Sequence, residues 1–407
     1  MINTLLLIRK ALNISNYQLL VCILLIVFCI SVIGCEPGIY GTRTIGGSDN
    51  DWAFSVRQTS DLGYIVAGGT LSFSDNEEVY LIKIDAMRDT EWSKIFGGSQ
   101  LDQANSVRQT SDGGYILAGF TESFGVGGRD FYLIKTNSDG DEEWSRTYGG
   151  SDDDCAYSVI QTPDDGYFIA GTTYSFGAGR MDIYIIKTDA DGIEQWSRAL
   201  GGPQSDGAKA AQQTSDGGYI LAGGTMSAGA GVDDIYLVKT DADGNEQWSM
   251  TFGGSDYDLA ESVTQTSDGG YLVAGVTRSF GAGHEDVYLV MTDPDGNEMW
   301  HKTFGGSEVD AAYSAQQIAD GNYIIAGMTG SFGDEDGDVY IIKIDPDGNE
   351  LYHKTYRTSG CECCYSIHQT SDYGFILAGI RIKEYPSTGS SGADIYLIRT
   401  NDCFDFD

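Results

Sequence analysis

The chain alternates short apolar segments with polar, glycine-rich segments, and this alternation returns at a nearly constant interval. The segment that reads Gln-Thr-Ser-Asp-Gly-Gly-Tyr at residues 109–115 has seven related copies. The aromatic residue of each copy falls at Tyr64, Tyr115, Tyr167, Tyr219, Tyr271, Tyr323 and Phe375. The intervals are 51 residues once and 52 residues five times. A period of this length is typical of solenoids, propellers and other repeat arrays.

One repeat, taken from Asp258 onward, predicts four short strands. Ser262–Thr266, Tyr271–Thr277 and Glu298–Phe304 are rich in β-branched and aromatic residues or alternate polar with apolar residues. Asp286–Thr292 is apolar on both faces, as expected for a sheet stacked between two other sheets. The intervening Asp, Asn and Gly residues favour hairpin turns. No useful length of the repeat has a 3.6-residue apolar period, so the sequence predicts antiparallel strands and not helices.

The two ends of the chain predict how the repeats close. The last unit ends before it reaches a fourth strand, whereas Gly41–Gly47 matches the fourth-strand segment Trp144–Gly150 apart from its aromatic residue. An N-terminal strand that completes the last sheet pairs both edges and closes the ring. The predicted fold is therefore all-β: a single seven-bladed β-propeller with four antiparallel strands per blade, closed by an N-terminal strand.

The charge balance narrows the choice of partners. The chain carries 24 Lys and Arg residues against 60 Asp and Glu residues, a formal net charge of -36. Long-range repulsion opposes phosphate-rich partners, so we expect no nucleic-acid binding. Such acidity favours solubility, tolerance of high salt, or the binding of a divalent cation, and the composition does not choose among them.

The first 35 residues have the composition of a secretory leader. Basic residues Arg9 and Lys10 precede the apolar run Leu19–Ile33, which is short for a membrane span. The run ends in Val-Ile-Gly-Cys and resembles the lipobox of prokaryotic lipoproteins, which implies cleavage before Cys35 and its lipidation. The alternative is an uncleaved membrane anchor. With cleavage, residues 36–41 form a short tether, residues 42–407 form the propeller, and the protein is extracytoplasmic and held at the membrane.

The full repeat also resembles a known class. In order, it reads Gly-Gly-Ser, Asp, Ala, a turn with Gly-Tyr, Ala-Gly, Ser-Phe, Asp-Val-Tyr, Lys, and Asp-Gly before Trp. It resembles the SBBP-type β-propeller repeats of secreted bacterial and archaeal proteins, and its strand order is similar to kelch and galactose-oxidase-like blades. The resemblance implies an extracytoplasmic propeller scaffold. It supplies no catalytic residues.

Every repeat carries a carboxylate on the face where propellers usually bind ligands. These residues are Asp51, Asp102, Asp154, Asp206, Asp258, Asp310 and Glu362. If the first strand is innermost, the seven side chains surround the channel mouth and form a negative funnel for a cation or a cationic ligand. The alternative is that each carboxylate accepts hydrogen bonds from backbone N–H groups of its own Gly-Gly-Ser loop.

Non-repeated residues in the last unit are the other candidates. Cys361, Cys363 and Cys364 replace an ordinary loop, and they predict a local Cys361–Cys364 disulfide, incidental thiols, redox chemistry, or a soft-metal site. The loop after the second strand, from Lys383 to Gly392, is longer than its counterparts. We predict that Lys383 and Tyr385 contact a partner there.

These observations favour a lipid-anchored binding module at the cell surface, with an unknown protein or glycan as its ligand. The alternative is an extracellular enzyme that acts on carbohydrate through acidic residues on the propeller face. None of the four histidines has a nucleophile at a recognisable spacing, and 60 acidic residues are too many to single out a catalytic pair. No catalytic residue is assigned. A divalent cation is the one candidate cofactor.

Overall fold

A computed structural model describes residues 41–333, 337–357, 360–385 and 390–401. All the elements formed by these residues are strands, and no membrane-crossing helix is found among them. The leader and Cys35 lie outside the described residues.

The strands form seven sheets of four, each a blade of the propeller. Blades 1 and 2 contain β2 (Asp51–Gln58), β3 (Tyr64–Thr70), β4 (Glu78–Ile84), β5 (Thr90–Phe96), β6 (Asp102–Gln109), β7 (Tyr115–Thr121), β8 (Asp130–Thr136) and β9 (Glu142–Tyr148). Blades 3 and 4 contain β10 (Asp154–Gln161), β11 (Tyr167–Thr173), β12 (Asp182–Thr188), β13 (Glu194–Leu200), β14 (Asp206–Gln213), β15 (Tyr219–Thr225), β16 (Asp234–Thr240) and β17 (Glu246–Phe252). Blades 5 and 6 contain β18 (Asp258–Gln265), β19 (Tyr271–Thr277), β20 (Asp286–Thr292), β21 (Glu298–Phe304), β22 (Asp310–Gln317), β23 (Tyr323–Thr329), β24 (Asp338–Ile344) and β25 (Glu350–Tyr356). Blade 7 contains β26 (Glu362–Gln369), β27 (Phe375–Tyr385), β28 (Ser390–Thr400) and β1 (Gly41–Ile45).

The predicted fold class and the predicted closure are confirmed. β1 pairs antiparallel with β28 over five residues, from Gly41 opposite Arg399 to Ile45 opposite Ile395. The N-terminal strand thus supplies the outer strand of blade 7 and leaves that blade with the same four strands as the others. In repeat five, three strands have the predicted bounds, whereas the first begins at Asp258, four residues before the predicted Ser262.

The apolar core lies between neighbouring blades. In blade 3, every residue of β11 and β12 is buried, as the apolar pattern on both faces of these strands requires. Ile65 of blade 1 packs in one cluster with Val107 and Leu117 of blade 2. Across the closure, Val66 of blade 1 shares a cluster with Ile376 of blade 7. Each blade therefore depends on both neighbours for burial of its apolar surface.

Polar contacts also join the blades near the first hairpin turn. In six junctions, a glutamine at the end of an innermost strand accepts a hydrogen bond of 2.8 or 2.9 Å from a backbone N–H in the preceding blade. These glutamines are Gln58, Gln109, Gln161, Gln265, Gln317 and Gln369. At the remaining junction, the residue facing Gln213 by repeat position is Pro163, which has no N–H to donate.

This exception provides a matched pair for measuring the interblade hydrogen bond. We expect Gln109→Ala to lower the free energy of unfolding by about 1 kcal/mol, because the Ser60 N–H loses its acceptor. We expect Gln213→Ala to cost less than half as much, since its counterpart is Pro163. Urea denaturation of both variants measures the difference. Equal losses would show that the glutamines act through packing and not through this bond.

Candidate functional site

The innermost strand of each blade lines a central channel with a cavity volume of about 900 Å³. Each of these strands has a bulge between its third and fifth residues, such as Ala53 and Ser55 in blade 1. The residue at the bulge and the residue three positions later both face the channel. Among the lining residues, each blade therefore contributes one side chain to each of two tiers.

We call these sets the upper tier and the lower tier. The upper tier consists of Phe54, Asn105, Tyr157, Lys209, Glu261, Tyr313 and Tyr365. The lower tier, nearer the first hairpin turns, consists of Arg57, Arg108, Ile160, Gln212, Thr264, Gln316 and His368. Neither tier keeps one residue type around the ring, whereas the buried third and sixth positions on the same strands stay small and apolar in nearly every blade. The sevenfold symmetry of the fold is therefore absent from the channel wall.

The upper tier has an aromatic side and a charged side. The ring centroids of Phe54 and Tyr365 lie 5.2 Å apart, and those of Tyr365 and Tyr313 lie 5.0 Å apart. The Lys209 Nζ atom lies 3.8 Å from the ring centroid of Tyr157, which is a cation–π contact. Three adjacent blades thus present a continuous aromatic wall to the cavity.

The lower tier has a basic side directly below part of that wall. Arg57 Nη1 donates to the Val56 carbonyl at 2.7 Å and to Ser366 Oγ at 3.2 Å. Arg108 Nη1 donates to the Val107 carbonyl at 2.9 Å. Within the described residues, neither guanidinium forms a salt bridge with a carboxylate. The two cations therefore line the cavity without a carboxylate partner among the described residues.

The pKa values in this cluster reflect its burial and charge. Burial, and then repulsion from Arg108, hold the pKa of Arg57 well below its usual range, and burial lowers the pKa of Arg108 to about 10. Burial and the charges of the two arginines lower the pKa of His368 to about 3. His368 is therefore neutral at pH 7, and within the described residues its buried Nδ1 atom meets no hydrogen-bond partner at bonding geometry.

The seven predicted carboxylates lie elsewhere. All are fully buried at the start of the innermost strands, and none is among the residues that line the channel. In blade 3, Asp154 Oδ2 accepts hydrogen bonds from the Gly150 N–H and the Ser175 hydroxyl, both at 2.8 Å. The Ser175 hydroxyl in turn accepts from the Asp152 N–H at 3.0 Å. The geometry thus favours the local hydrogen-bonding interpretation, and the cation funnel remains a prediction that these contacts do not require.

Blade 7 replaces this local network with a different pair. It lacks the Gly-Gly-Ser loop, and its carboxylate is Glu362, whose Oε1 atom lies 3.4 Å from Nε of Arg381. Arg381 lies directly opposite Glu362 in the strand pairing, where the other blades have a threonine. An ion pair thus takes the place of a hydroxyl–carboxylate hydrogen bond, and both of its members differ from the residues at these positions in the other blades.

The cysteine cluster lies at the start of β26. Cys155, Cys361, Cys363 and Cys364 are thiols in the structure. Cys363 Sγ lies 3.3 Å from Met328 Sδ, and burial raises the pKa of Cys364 to about 12. In the described part of the chain, no three His, Cys, Asp or Glu side chains converge closely enough to hold a metal ion. The local disulfide, redox and soft-metal interpretations remain predictions.

The predicted partner loop is partly an extended hairpin. Lys383 pairs with Gly392 and Tyr385 pairs with Ser390, so these segments continue β27 and β28 instead of forming an irregular loop. The extra residues lengthen both strands because each added residue finds a backbone partner. Residues 386–389 at the tip lie outside the described residues. A partner contact at Lys383 and Tyr385 remains a prediction.

Sequence reasoning missed the two channel tiers. The sequence does contain a signal for these two tiers, which an alignment of the seven repeats with one another reveals. Along the innermost strands, the bulge position and the position three residues later vary in charge and size, whereas the intervening Ser and Val positions are nearly constant. Positions that vary within conserved repeats are candidates for function.

Comparison with known proteins gives no family. The chain matches no known protein-family model. The Regulatory protein FlaEY of Caulobacter vibrioides is 25% identical over 174 residues, which cover 37% of this chain and 18% of that protein. Membership in the SBBP-type class remains a prediction.

Solved structures resemble the chain in fold. Sqt1 from Chaetomium thermophilum is 10% identical with a TM-score of 0.47, covering 90% of this chain and 100% of Sqt1. The β-propeller domain of the Trilobed protease from Pyrococcus furiosus is 10% identical with a TM-score of 0.46, covering 88% of this chain and 98% of that domain.

Buried carboxyl groups set the expected pH dependence of stability. Burial, and then repulsion from Asp102, raise the pKa of Glu78 to about 7. Burial is also the main reason why the pKa of Glu77 is raised to about 7 and that of Asp233 to about 6. A raised folded-state pKa contributes stability below the unfolded-state value and loses it as the pH rises through the folded-state value. These groups therefore favour folding in mild acid over neutral pH.

A second set of carboxylates has the opposite effect. Burial alone would raise the pKa of Asp61, but hydrogen bonds from Lys83, Thr59 and the Gly63 N–H outweigh it and lower the pKa to about 2. The equivalent Asp112, Asp164 and Asp216 have the same lowered value. A lowered folded-state pKa contributes stability above the unfolded-state value, and this stability is lost as the pH falls from about 4 to about 2.

Together these groups predict a stability maximum in mild acid. We expect the free energy of unfolding to rise as the pH falls from about 8 to about 5 and to fall again below about 4. Urea denaturation at constant ionic strength measures this profile. Glu78→Gln is the control, since it removes one raised carboxyl and should flatten the limb above pH 5. A maximum at pH 7–8 would contradict this account.

Proposed function

We propose that the protein is a lipid-anchored, extracytoplasmic binding module that holds its ligand in the central channel. The propeller fold supports a binding or scaffold role. The observation that carries the proposal is the contrast between the repeated shell and the non-repeated channel wall. Duplication explains the shell, but it does not explain why Arg57, Lys209 and Tyr365 stand in channel positions that differ from blade to blade.

The channel chemistry favours binding over hydrolysis. Among the described residues that line the cavity, Glu261 is the single carboxylate. Glycoside hydrolysis generally uses two carboxyl groups that face each other across the scissile bond. The cavity instead combines a wall of aromatic rings with a mostly polar lining, which offers stacking and hydrogen bonding to a ligand. A carbohydrate ligand therefore remains in keeping with the site, whereas carbohydrate cleavage there lacks a catalytic pair.

The location of the protein rests on the sequence of the leader. Cleavage before Cys35 leaves residues 36–41 as the tether, which reaches about 20 Å at ~3.5 Å per residue. β1 begins at Gly41, so the propeller would stand close to the membrane surface. A short tether suits a module that captures ligands near the membrane and does not reach far from it.

The channel proposal is tested by narrowing the cavity. Glu261 lies in the upper tier, and Glu261→Trp places a large ring in the channel. We expect this variant to lose the ligands found by saturation-transfer NMR screening of defined saccharides and short peptides. Glu261→Gln keeps the side-chain size and serves as the control. Ligands that bind the wild-type protein and the Trp variant equally would place the binding site outside the channel.

The anchor is tested by substituting the lipidation residue. We expect Cys35→Ser to abolish labelling with a radioactive fatty acid, because the thiol is the acylation site. Signal-peptide processing should be lost in parallel, which an intact-mass measurement detects. Membrane retention without fatty-acid labelling in the wild-type chain would support the uncleaved anchor instead.

A further inference from the structure

We infer that the basic side of the lower tier is an oxyanion site, and that the ligand is an acidic sugar whose carboxylate or sulfate contacts Arg57 and Arg108. This inference rests on the proposed channel function and names the chemical class of the ligand. Three observations support it: the contacts of the two arginines, the aromatic wall of the upper tier, and the carboxylate partners of the buried cations elsewhere in the described chain.

Elsewhere in the described chain, the repeated buried cations have carboxylate partners. The third strand of most blades ends with a Lys or Arg whose charged group pairs with an Asp in the first hairpin turn, at 2.5 to 2.9 Å. These pairs are Lys83–Asp61, Lys135–Asp112, Lys187–Asp164, Lys239–Asp216, Lys343–Asp320 and Arg399–Asp372. Where a cation is built into the shell, this acidic chain supplies an anion beside it.

The two lower-tier arginines depart from that rule. Their hydrogen bonds go to the carbonyls of Val56 and Val107 and to the Ser366 hydroxyl, which are neutral acceptors. The arginines lie on adjacent blades and close enough to repel each other. Two partly buried guanidinium groups without an anion beside them repel each other, and a bidentate oxyanion relieves that repulsion. The two positive charges thus lack a negative partner in the described chain, and an anionic ligand would supply one.

The neighbouring lower-tier residue fits the same ligand. His368 stands on blade 7, next to Arg57 of blade 1, and its side chain lines the cavity. A neutral imidazole has one nitrogen that donates and one that accepts a hydrogen bond. Its Nδ1 atom is buried, so a hydroxyl group next to the oxyanion would meet the part of the ring that faces the cavity. The cluster therefore recognises a charged group that has polar neighbours, as on a sugar ring.

The upper tier determines which uncharged part of the ligand fits the channel. Phe54 stands three residues before Arg57 on the same strand, and Tyr365 stands three residues before His368. These two rings and Tyr313 form the aromatic wall, which lies above Arg57 and His368. Asn105 lies above Arg108. A sugar ring has an apolar face of C–H groups that stacks on aromatic rings, while its hydroxyls bond polar side chains. An acidic sugar thus matches both tiers at once.

The negative net charge of the protein affects where the affinity for an anionic ligand can arise. With a formal charge of -36, the protein repels anions at long range. At about 0.15 M salt this repulsion is screened beyond about 8 Å, so contacts inside the channel determine affinity. We expect an anion without a sugar ring to bind more weakly than an acidic sugar, because it gains the arginine contacts but not the aromatic contacts.

The chain supplies a matched control for Arg108. Arg146 lies on the outer strand β9, and its Nη1 donates to the carbonyl of the preceding Ser145 at 2.8 Å, as Arg108 Nη1 does to Val107 at 2.9 Å. Arg108→Met and Arg146→Met therefore remove the same charge and the same type of backbone bond. They differ in whether the guanidinium faces the channel.

Calorimetric titration of the full chain in detergent at 0.15 M salt tests the proposal with four probes: galacturonate, galactose 6-sulfate, galactose and inorganic sulfate. We expect one or both acidic sugars to bind, and Arg108→Met to weaken them at least about tenfold while Arg146→Met leaves them unchanged. Thermal unfolding of both variants confirms that they remain folded. The preferred acidic sugar distinguishes a carboxylate ligand from a sulfate ligand.

The other outcomes overturn the proposal in distinct ways. Binding of galactose as tight as that of galacturonate would remove the oxyanion and leave a neutral sugar site in the channel. Binding of inorganic sulfate as tight as that of the acidic sugars would remove the aromatic contribution. No binding of any probe would overturn the acidic-sugar assignment itself, and the Glu261→Trp screen would still decide whether the channel binds a ligand of another class.

Discussion

A sheet whose two faces are both apolar must be covered on both sides, and the architecture of this protein follows from that constraint. The second and third strands of the blades are buried almost without exception, so a blade at the end of an open array would expose one apolar face. A ring has no end. Seven blades close it, and β1 gives blade 7 the outer strand that its own repeat does not supply. Closure is thus a requirement of burial as much as of hydrogen bonding.

The same constraint separates the residues that maintain the fold from those that are free to vary. Positions between blades must fit both neighbours, so they repeat. Close approaches within a blade repeat as well, and the glycine near the end of the second strand is an example. A Cβ atom on Gly275 would lie 1.9 Å from the Leu259 carbonyl oxygen, which leaves no room for a side chain. Side chains in the channel meet no such neighbour. Variation there costs little stability, which makes the channel wall the part of the molecule that can acquire function without disturbing the ring.

The fold could be predicted from the sequence because its signals are local and are repeated seven times. Turn residues and apolar runs in repeat five located three strands at their observed bounds. The first strand was predicted too short because Asp258–Glu261 is polar at two of four positions, and the strand turns one side chain to the channel at its bulge. The carboxylates were harder to interpret, since repetition alone does not show whether Asp154 faces solvent or its own loop. The hydrogen bonds from Gly150 and Ser175 settle where its side chain points. The proximity of Arg57, Arg108 and His368 could not be predicted without the closed ring, because Arg108 and His368 are 260 positions apart in the sequence.

Charge is distributed in this molecule by layer. The shell pairs its buried cations with carboxylates, and the inner strands begin with buried carboxylates that are satisfied by their own loops. The channel reverses the sign, with Arg57, Arg108 and Lys209 against one carboxylate, Glu261. Lys209 has the Tyr157 ring as a neighbour, so the arginines are the cations that most lack compensation. Keeping two such charges beside each other costs free energy in the empty protein. A ligand that neutralises them recovers that cost on binding, so the imbalance that weakens the unliganded channel is the source of its affinity for an anion.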